Sequence, residues 1–387
     1  MNVPAVNVPA VNVPAVNVPT ANAPAVPLAP PPTGAEADAW IARRLDTDLD
    51  SWCRAVLQRH FHPETGSPYW LGRARTLDFD PRDITRYDQL SAFGPFPLDT
   101  LRRRDPAELV PLSVPRPLTG RVWDTGGTTG TPCRVHYTPD MLLHRALWRR
   151  WSFAHEGFEP GRSWLQATPT GPHLIGNGVW EVAELYAGQA YAIDMDPRWV
   201  KRLIRAGRLA EVDEYTGHLL EQITDVLRQG RVHYLNTTPA LFQALRQRFP
   251  AEVAALDGVR LSGTQISADM YRAFRAALQG GICGLTYGNT FGNAACLEVA
   301  RDAALISYVP NYPQVTMAVV RKDDWSTPVE PGAPGQVRLT VLHEDLFLPN
   351  ILERDQALRH RTDRWPSDGV ANIRPLQTTS SAPEGLY

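Results

Sequence analysis

The residues able to do chemistry gather first in one short segment. Asp124-Thr-Gly-Gly-Thr-Thr-Gly-Thr-Pro-Cys133 places Gly126, Gly127 and Gly130 among the hydroxyls of Thr125, Thr128 and Thr129. Glycines let a backbone curl tightly, and curled amides and hydroxyls donate to anionic oxygens, so the segment suits wrapping around phosphate. Taken alone, its alternative is a Gly/Thr-rich hairpin turn. It is not a Walker A loop, because G-x-x-x-x-G-K-[ST] cannot be placed on it. Cations to complement phosphate are almost all arginine: of 39 Lys plus Arg, only Lys201 and Lys322 are lysine. Lys201 ends the run Asp194-Met-Asp-Pro-Arg-Trp-Val-Lys201, behind an expected strand Tyr191–Ile193. That is the C-terminal edge of a strand, where α/β sites gather. The alternative is that Arg198 and Lys201 form a solvated face of a helix Pro197–Ala206. Lys322 falls in Arg321-Lys-Asp-Asp-Trp325, which reads as a polar turn. His173 and Trp180 are candidates to line a substrate pocket, with a satisfied loop histidine as the alternative for His173.

These residues need a layered scaffold, and the patterning supplies one. Thr138-Pro139 and Thr238-Pro239 each open a helix, with threonine as cap and proline at the first helical position. Ser267 caps a third, stopped by Gly280-Gly281. A helical segment is expected over 37–60, where Trp40, Leu45, Leu49, Trp52 and Val56 recur near helical spacing. Residues 61–120, rich in Pro, Arg and Asp, read as irregular structure with short helices. Strand-like runs at Ser163–Ala167, Val232–Leu235, Ile282–Tyr287, Val315–Val320 and Gln336–Leu342 alternate with the helices. That alternation predicts an α/β core.

Residues 1–35 read differently. They carry no charged side chain, repeat Asn-Val-Pro-Ala-Val at period five and run into Pro30-Pro31-Pro32. Regular proline removes backbone donors and blocks helix and central strand, so a disordered, extended tail is expected, followed by a single core over 36–387. A net charge of −2 gives no reason to expect nucleic acid or an anionic membrane as partner. No apolar run approaches the roughly 18 residues that cross a bilayer. The four cysteines lack metal-ligand spacing and read as buried reduced thiols, consistent with a cytoplasmic protein.

Further segments bring a family into view. Thr125-Gly-Gly-Thr-Thr-Gly-Thr-Pro132 resembles the phosphate loop of adenylate-forming (AMP-binding) enzymes, nearest to the S-S-G-T-T-G-K-P of the phenylacetate–CoA ligase branch. Asn236-Thr-Thr-Pro239 resembles that branch's T-P-S segment, and Gly263-Thr264-Gln265 its adenine-side G-x-E. Tyr287-Gly288-Asn289-Thr290 resembles Y-G-x-[ST]-E, whose tyrosine packs on adenine and whose hydroxyl meets phosphate. Gly335–Thr340, then Leu348-Pro349 and Asp355, resembles the strand and ribose-binding Asp that end the large domain, with Asp363 as competitor for that Asp. The Asp194–Lys201 run is most similar to phenazine-antibiotic biosynthesis adenylating proteins.

The resemblance implies ATP-dependent activation of a carboxylic acid, aromatic acids included, to an acyl-adenylate in secondary metabolism. Thr128 and Thr290 would act on the phosphates, with Lys201 expected from its own position to supply part of the charge stabilisation at a phosphate or the bound carboxylate, and the adenylate would pass to a reductase, carrier thiol or amine supplied by a partner. Three departures qualify it. Thr131 stands where the family has lysine, and Phe291 where relatives hold Mg²⁺ with glutamate, so ATP with Mg²⁺ is expected without a protein metal ligand there. The chain also stops at Tyr387, so the large domain is expected without its mobile C-terminal lid, and complete acyl-CoA synthesis by this chain alone is not. The alternative reading is a non-catalytic nucleotide- or acid-binding scaffold in a biosynthetic complex.

Overall fold

The computed structural model describes residues 33–126, 131–186, 188–300 and 303–376. The tail expected over residues 1–35 therefore lies outside the described residues up to 32. The core begins slightly earlier than the expected boundary, because Thr33 caps the first helix.

In chain order, α1 (Gly34–Leu45), α2 (Leu49–His60) and α3 (Pro68–Ala74) lead through short 3₁₀ turns to α4 (Asp99–Arg103). The hairpin β1 (Arg121–Asp124) and β2 (Arg134–Tyr137) precedes α5 (Pro139–Glu156). Then come β3 (Trp164–Ala167), α6 (Gly178–Tyr186), β4 (Ala190–Ala192), α7 (Pro197–Arg205) and α8 (Leu209–Gln229). The parallel part continues through β5 (Tyr234–Thr237), α9 (Pro239–Arg248), α10 (Pro250–Ala254), β6 (Gly258–Leu261) and α11 (Ala268–Ala277). It ends in a long run of strands: β7 (Ile282–Gly288), β8 (Asn293–Val299), β9 (Ile306–Pro310), β10 (Val315–Val320), β11 (Pro334–His343), β12 (Leu346–His360) and β13 (Gly369–Pro375).

Apart from the β1–β2 hairpin, the described strands form one mixed sheet, ordered β10-β11-β12-β13-β9-β8-β7-β6-β5-β3-β4. From β4 to β7 all pairs are parallel, and from β7 to β10 all are antiparallel. β3, β5 and β6 are buried at every residue, as expected of parallel strands covered on both faces. In the antiparallel part β10 packs back against β9 and β13, so this end of the sheet curls. The α/β class expected from the alternation holds, with helices flanking a large mixed sheet.

The expected caps are present. The Thr138 side chain accepts from the Met141 amide, Thr238 from Leu241 and Ser267 from Met270, at 3.2–3.3 Å. The single helix expected over 37–60 is instead two. Asp48 accepts from the Ser51 amide at 2.8 Å and starts α2 afresh, which breaks the apolar stripe that read as continuous. α8 has no side-chain cap hydrogen bond, so it gives no start signal of the kind read elsewhere. All four cysteines are buried and none forms a disulfide.

Candidate functional site

The described ends of the Gly/Thr segment adjoin β1 and β2, which pair antiparallel with Asp124 opposite Arg134. Its neck is closed twice: the Thr125 amide donates to the Cys133 carbonyl, and the Thr125 hydroxyl accepts from the Cys133 amide, each at 2.9 Å. Gly127, Thr128, Thr129 and Gly130 lie outside the described residues. The neighbouring β7–β8 turn is tied to the same hairpin. The Tyr137 hydroxyl donates to the Thr290 carbonyl at 2.9 Å, and Thr290 Oγ1 reaches the Asp124 carbonyl at 3.4 Å.

Cations flank this loop on two sides. Asp196 caps α7, its carboxylate accepting from the Arg198 and Trp199 amides, and so sets which face α7 turns to the hairpin. From that face Lys201 Nζ donates to the Gly126 carbonyl at 3.0 Å, and Arg198 pairs with Asp124. Lys201 is therefore half-buried against the loop rather than part of a solvated face, whereas Lys322 is exposed. Burial, helped by Arg354, Arg205 and Arg198, pulls the Lys201 ammonium down to about 8. On the opposite flank, Arg102 of α4 donates to the carbonyl of Thr131, the position where the resembled family has lysine. Reading the sequence missed Arg102, because only folding brings α4 beside the loop.

His173 is buried next to Asp124, and its backbone pairs with that residue. Burial first, then Arg198 and Lys201, holds its imidazole down at about 4, so it sits neutral beside the cations. Trp180, on α6, is 42% exposed. His173 and Trp180 line neither cavity described below.

A cleft of about 140 Å³ opens where the parallel and antiparallel parts meet. Gly263, Thr264 and Gln265 from the loop after β6 form one wall, Tyr287 and Gly288 from the end of β7 another, and Asp355 with Arg374 a third. The Tyr287 hydroxyl donates to Asp355 Oδ2 at 2.8 Å, which fixes ring and carboxylate together. Burial raises the Asp355 carboxyl and holds the Tyr287 phenol well above its usual value. A Cβ at Gly288 would meet the Gly292 carbonyl at 2.7 Å, so the tight turn needs glycine there. Asp363 lies beyond the end of β12 and is not among the residues lining this cleft.

Asn289 shapes the turn. Its Oδ1 accepts from the Phe291 and Gly292 amides at 2.8 and 3.2 Å, and its Nδ2 donates to Glu353 Oε1 at 2.6 Å. Phe291 is 6% exposed and belongs to the main apolar core, so this position presents no ligand to a metal. Glu353 was not singled out from sequence. Burial, then Asp355, pushes its carboxyl up to about 7. The available signal was its place two residues before Asp355 on one strand.

This large mixed sheet flanked by helices is the fold of the large domain of adenylate-forming CoA ligases. The sequence itself matches no family model and no curated protein. The chain resembles 2-hydroxyisobutyryl-CoA ligase in the postadenylation state with R3-HIB-AMP, at TM-score 0.60 and 14% identity, over 85% of this chain and 66% of that one. It also resembles the same enzyme with 2-HIB-AMP and CoA in the thioesterification state, at TM-score 0.57 and 16% identity, over 87% and 69%. At such identities the likeness is one of fold. The chain spans about two thirds of the length of these ligases.

Proposed function

We propose that this chain binds ATP and activates a carboxylic acid as an acyl-adenylate, releasing pyrophosphate. One observation carries the reading: three segments far apart in sequence, Gly263–Gln265, Tyr287–Gly288 and Asp355, wall a single cleft beside the neck of the Gly/Thr loop. Tyr287 offers the adenine an aromatic face, and Asp355, held by the Tyr287 hydroxyl, accepts from the ribose hydroxyls. The Gly/Thr loop, with Thr128 and Thr129, wraps the triphosphate, and Thr290 faces it from the adjoining turn. A carboxylate oxygen of the acid attacks the α-phosphorus, and pyrophosphate leaves with the electron pair of the broken P–O bond. Lys201 and Arg102 lower the cost of the charge that builds on the phosphates. Mg²⁺ arrives with ATP, held by phosphate oxygens and water as is usual for this ion, because Phe291 offers it nothing.

The finer reading follows the same resemblance: an aromatic acid among the substrates, a place in antibiotic biosynthesis close to the phenylacetate–CoA ligase branch, and delivery of the adenylate to a partner's reductase, carrier thiol or amine. A second reading, a binding scaffold without turnover, is favoured by the burial of Phe291 where relatives carry a metal-binding glutamate. ATP titration by calorimetry, beside pyrophosphate release measured over a panel of acids, separates the two. Binding with acid-dependent release supports the enzyme, ATP binding without release supports the scaffold, and no ATP binding ends the enzyme reading and leaves only a scaffold that binds acid.

A further inference from the structure

Behind β7 and β8, on the side facing α5, is a second and smaller cavity. Its wall holds three guanidiniums, those of Arg145, Arg149 and Arg260, which are 7%, 8% and 2% exposed. Among the described residues two carboxylates pair with them. Glu181 takes Arg145 and, at 3.3 Å, Arg149, while Glu156 takes Arg260 at 2.9 Å. Three buried cations against two buried anions leave one positive charge uncompensated, and an isolated buried charge is costly unless something pairs with it. The Arg145 Nε atom is buried without a hydrogen-bond partner.

The cavity is built around this excess. The Arg149 head lies where a side chain on residue 178 would be: a Cβ on Gly178 would overlap Arg149 Nη1. Ser152, Thr286, Asn293 and Asn311 complete a polar lining, and Ala294 and Ala295 leave the strand side open. Its room, about 20 Å³, exceeds the 10–15 Å³ or so that one water needs, so it accepts the tip of a molecule rather than a whole one. Thr286 of β7 lines both this cavity and the cleft, so the two adjoin at this residue.

We infer that the arginine cavity binds a second carboxylate of the substrate, and that the chain's acids are dicarboxylates. This rests on the acid-activating reading. One carboxylate is held by Arg149 and its neighbours, and the other is presented for activation. Arginine suits the task because its planar fork binds carboxylate in bidentate fashion and stays charged. Burial, then Arg145, holds the Arg149 guanidinium well below its usual value, because Glu181, which it shares with Arg145, offsets them only in part.

The test is equilibrium binding, so it does not depend on turnover. Succinate against butyrate, glutarate against valerate and terephthalate against benzoate are titrated by calorimetry into the full chain with and without ATP. At least one diacid is expected to bind tenfold or more tightly than its monoacid partner. Arg149→Gln is expected to abolish that preference, and Gly178→Ala, which only displaces the Arg149 head, to reduce it, with ATP affinity unchanged in both. Equal binding of diacid and monoacid by the wild-type chain overturns the inference even if Arg149→Gln fails to fold. A preference that survives Gly178→Ala and Arg149→Gln, or one matched by chloride or sulfate, overturns it too. If diacids bind selectively but no acid supports pyrophosphate release, the cavity stands and the catalytic reading falls. If a monoacid supports release as well as any diacid, the catalytic reading stands and the cavity assignment falls.

Discussion

Single side chains carry the clearest consequences. Lys201 is held on the Gly126 carbonyl, one residue before the loop's central glycine. Lys201→Ala should lower acid-dependent pyrophosphate release by roughly 10- to 1000-fold, the scale of losing one transition-state contact, while Lys322→Ala changes it little. The ammonium titrates near 8, below the ordinary lysine value, so it is charged at pH 7 and neutral at pH 9. Pyrophosphate release should therefore decline as pH rises through about 8, and Lys201→Arg should move that decline upward. A flat profile, or equal rates in the alanine variants, would place Lys201 outside the reaction. A second residue-scale case lies outside the lining of the cleft. His144, His343 and Glu344 have metal-ligand types within 4.8 Å of one another. However, the Asp345 amide donates to His343 Nδ1 at 3.1 Å, which leaves the ring proton on Nε2. That proton is donated to His144 Nδ1 at 2.9 Å, so the two rings are a hydrogen-bonded pair rather than two open lone pairs. Burial pulls His144 down to about 4. Between about 4 and the ordinary 6.5 it takes up a proton only on unfolding, so its contribution to stability is full above 6.5 and is lost as pH falls. The gap in Tm between wild type and His144→Gln should thus narrow from pH 7 to pH 5.

At the scale of elements, the start of α1 gives the next test. Thr33 and Glu36 form a capping box, the Thr33 amide donating to Glu36 Oε2 at 2.7 Å and the Glu36 amide to the Thr33 hydroxyl at 3.4 Å. α1 in turn seats Ile41 in a cluster with Trp148, Tyr312 and Trp365. Removing residues 1–32 should leave Tm and ATP affinity unchanged, since that stretch is uncharged and proline-punctuated and lacks aromatic anchors. Removing 1–34 takes the cap as well and should cost about 1 kcal/mol, seen as a lower Tm in a direct comparison of the two truncations. Equal melting of the two would show that the box contributes nothing. The same elements show what was legible beforehand. Helices opened by Thr-Pro or Ser were readable because cap chemistry is local to three or four residues. Strands β8, β9, β12 and β13 were not, because pairing partners are set by contacts across the chain. Likewise Asp355 and Tyr287 could be singled out by motif. The arginine cavity could not, since Arg145 and Arg149, four apart on α5, meet Arg260 and Glu181 from two other elements that no local spacing links to them.

For the molecule as a whole, the shortest ladder among the described strands of the sheet lies within the antiparallel part, between β9 and β13. β9 and β13 are joined through Val370 with Tyr308 and Ala371 with Ser307, whereas β11 and β12 pair along nearly their whole lengths. The Asn372 side chain extends that short ladder by accepting from the Ile306 amide at 2.9 Å. Ile306, Tyr308, Asn372, Ile373 and Arg374 all line the cleft. Opening of a structure starts where few bonds must break together, so these two strands should exchange their amide hydrogens faster than β5 and β6. A nucleotide seated between them would act as a rivet, suppressing local breathing without altering any contact in the distant core. Hydrogen–deuterium exchange with and without ATP should show slowing concentrated in residues 306–310 and 369–375. Slowing spread evenly over the sheet would mean that the ligand stabilises only the globally folded state, and that the seam moves as one with the rest.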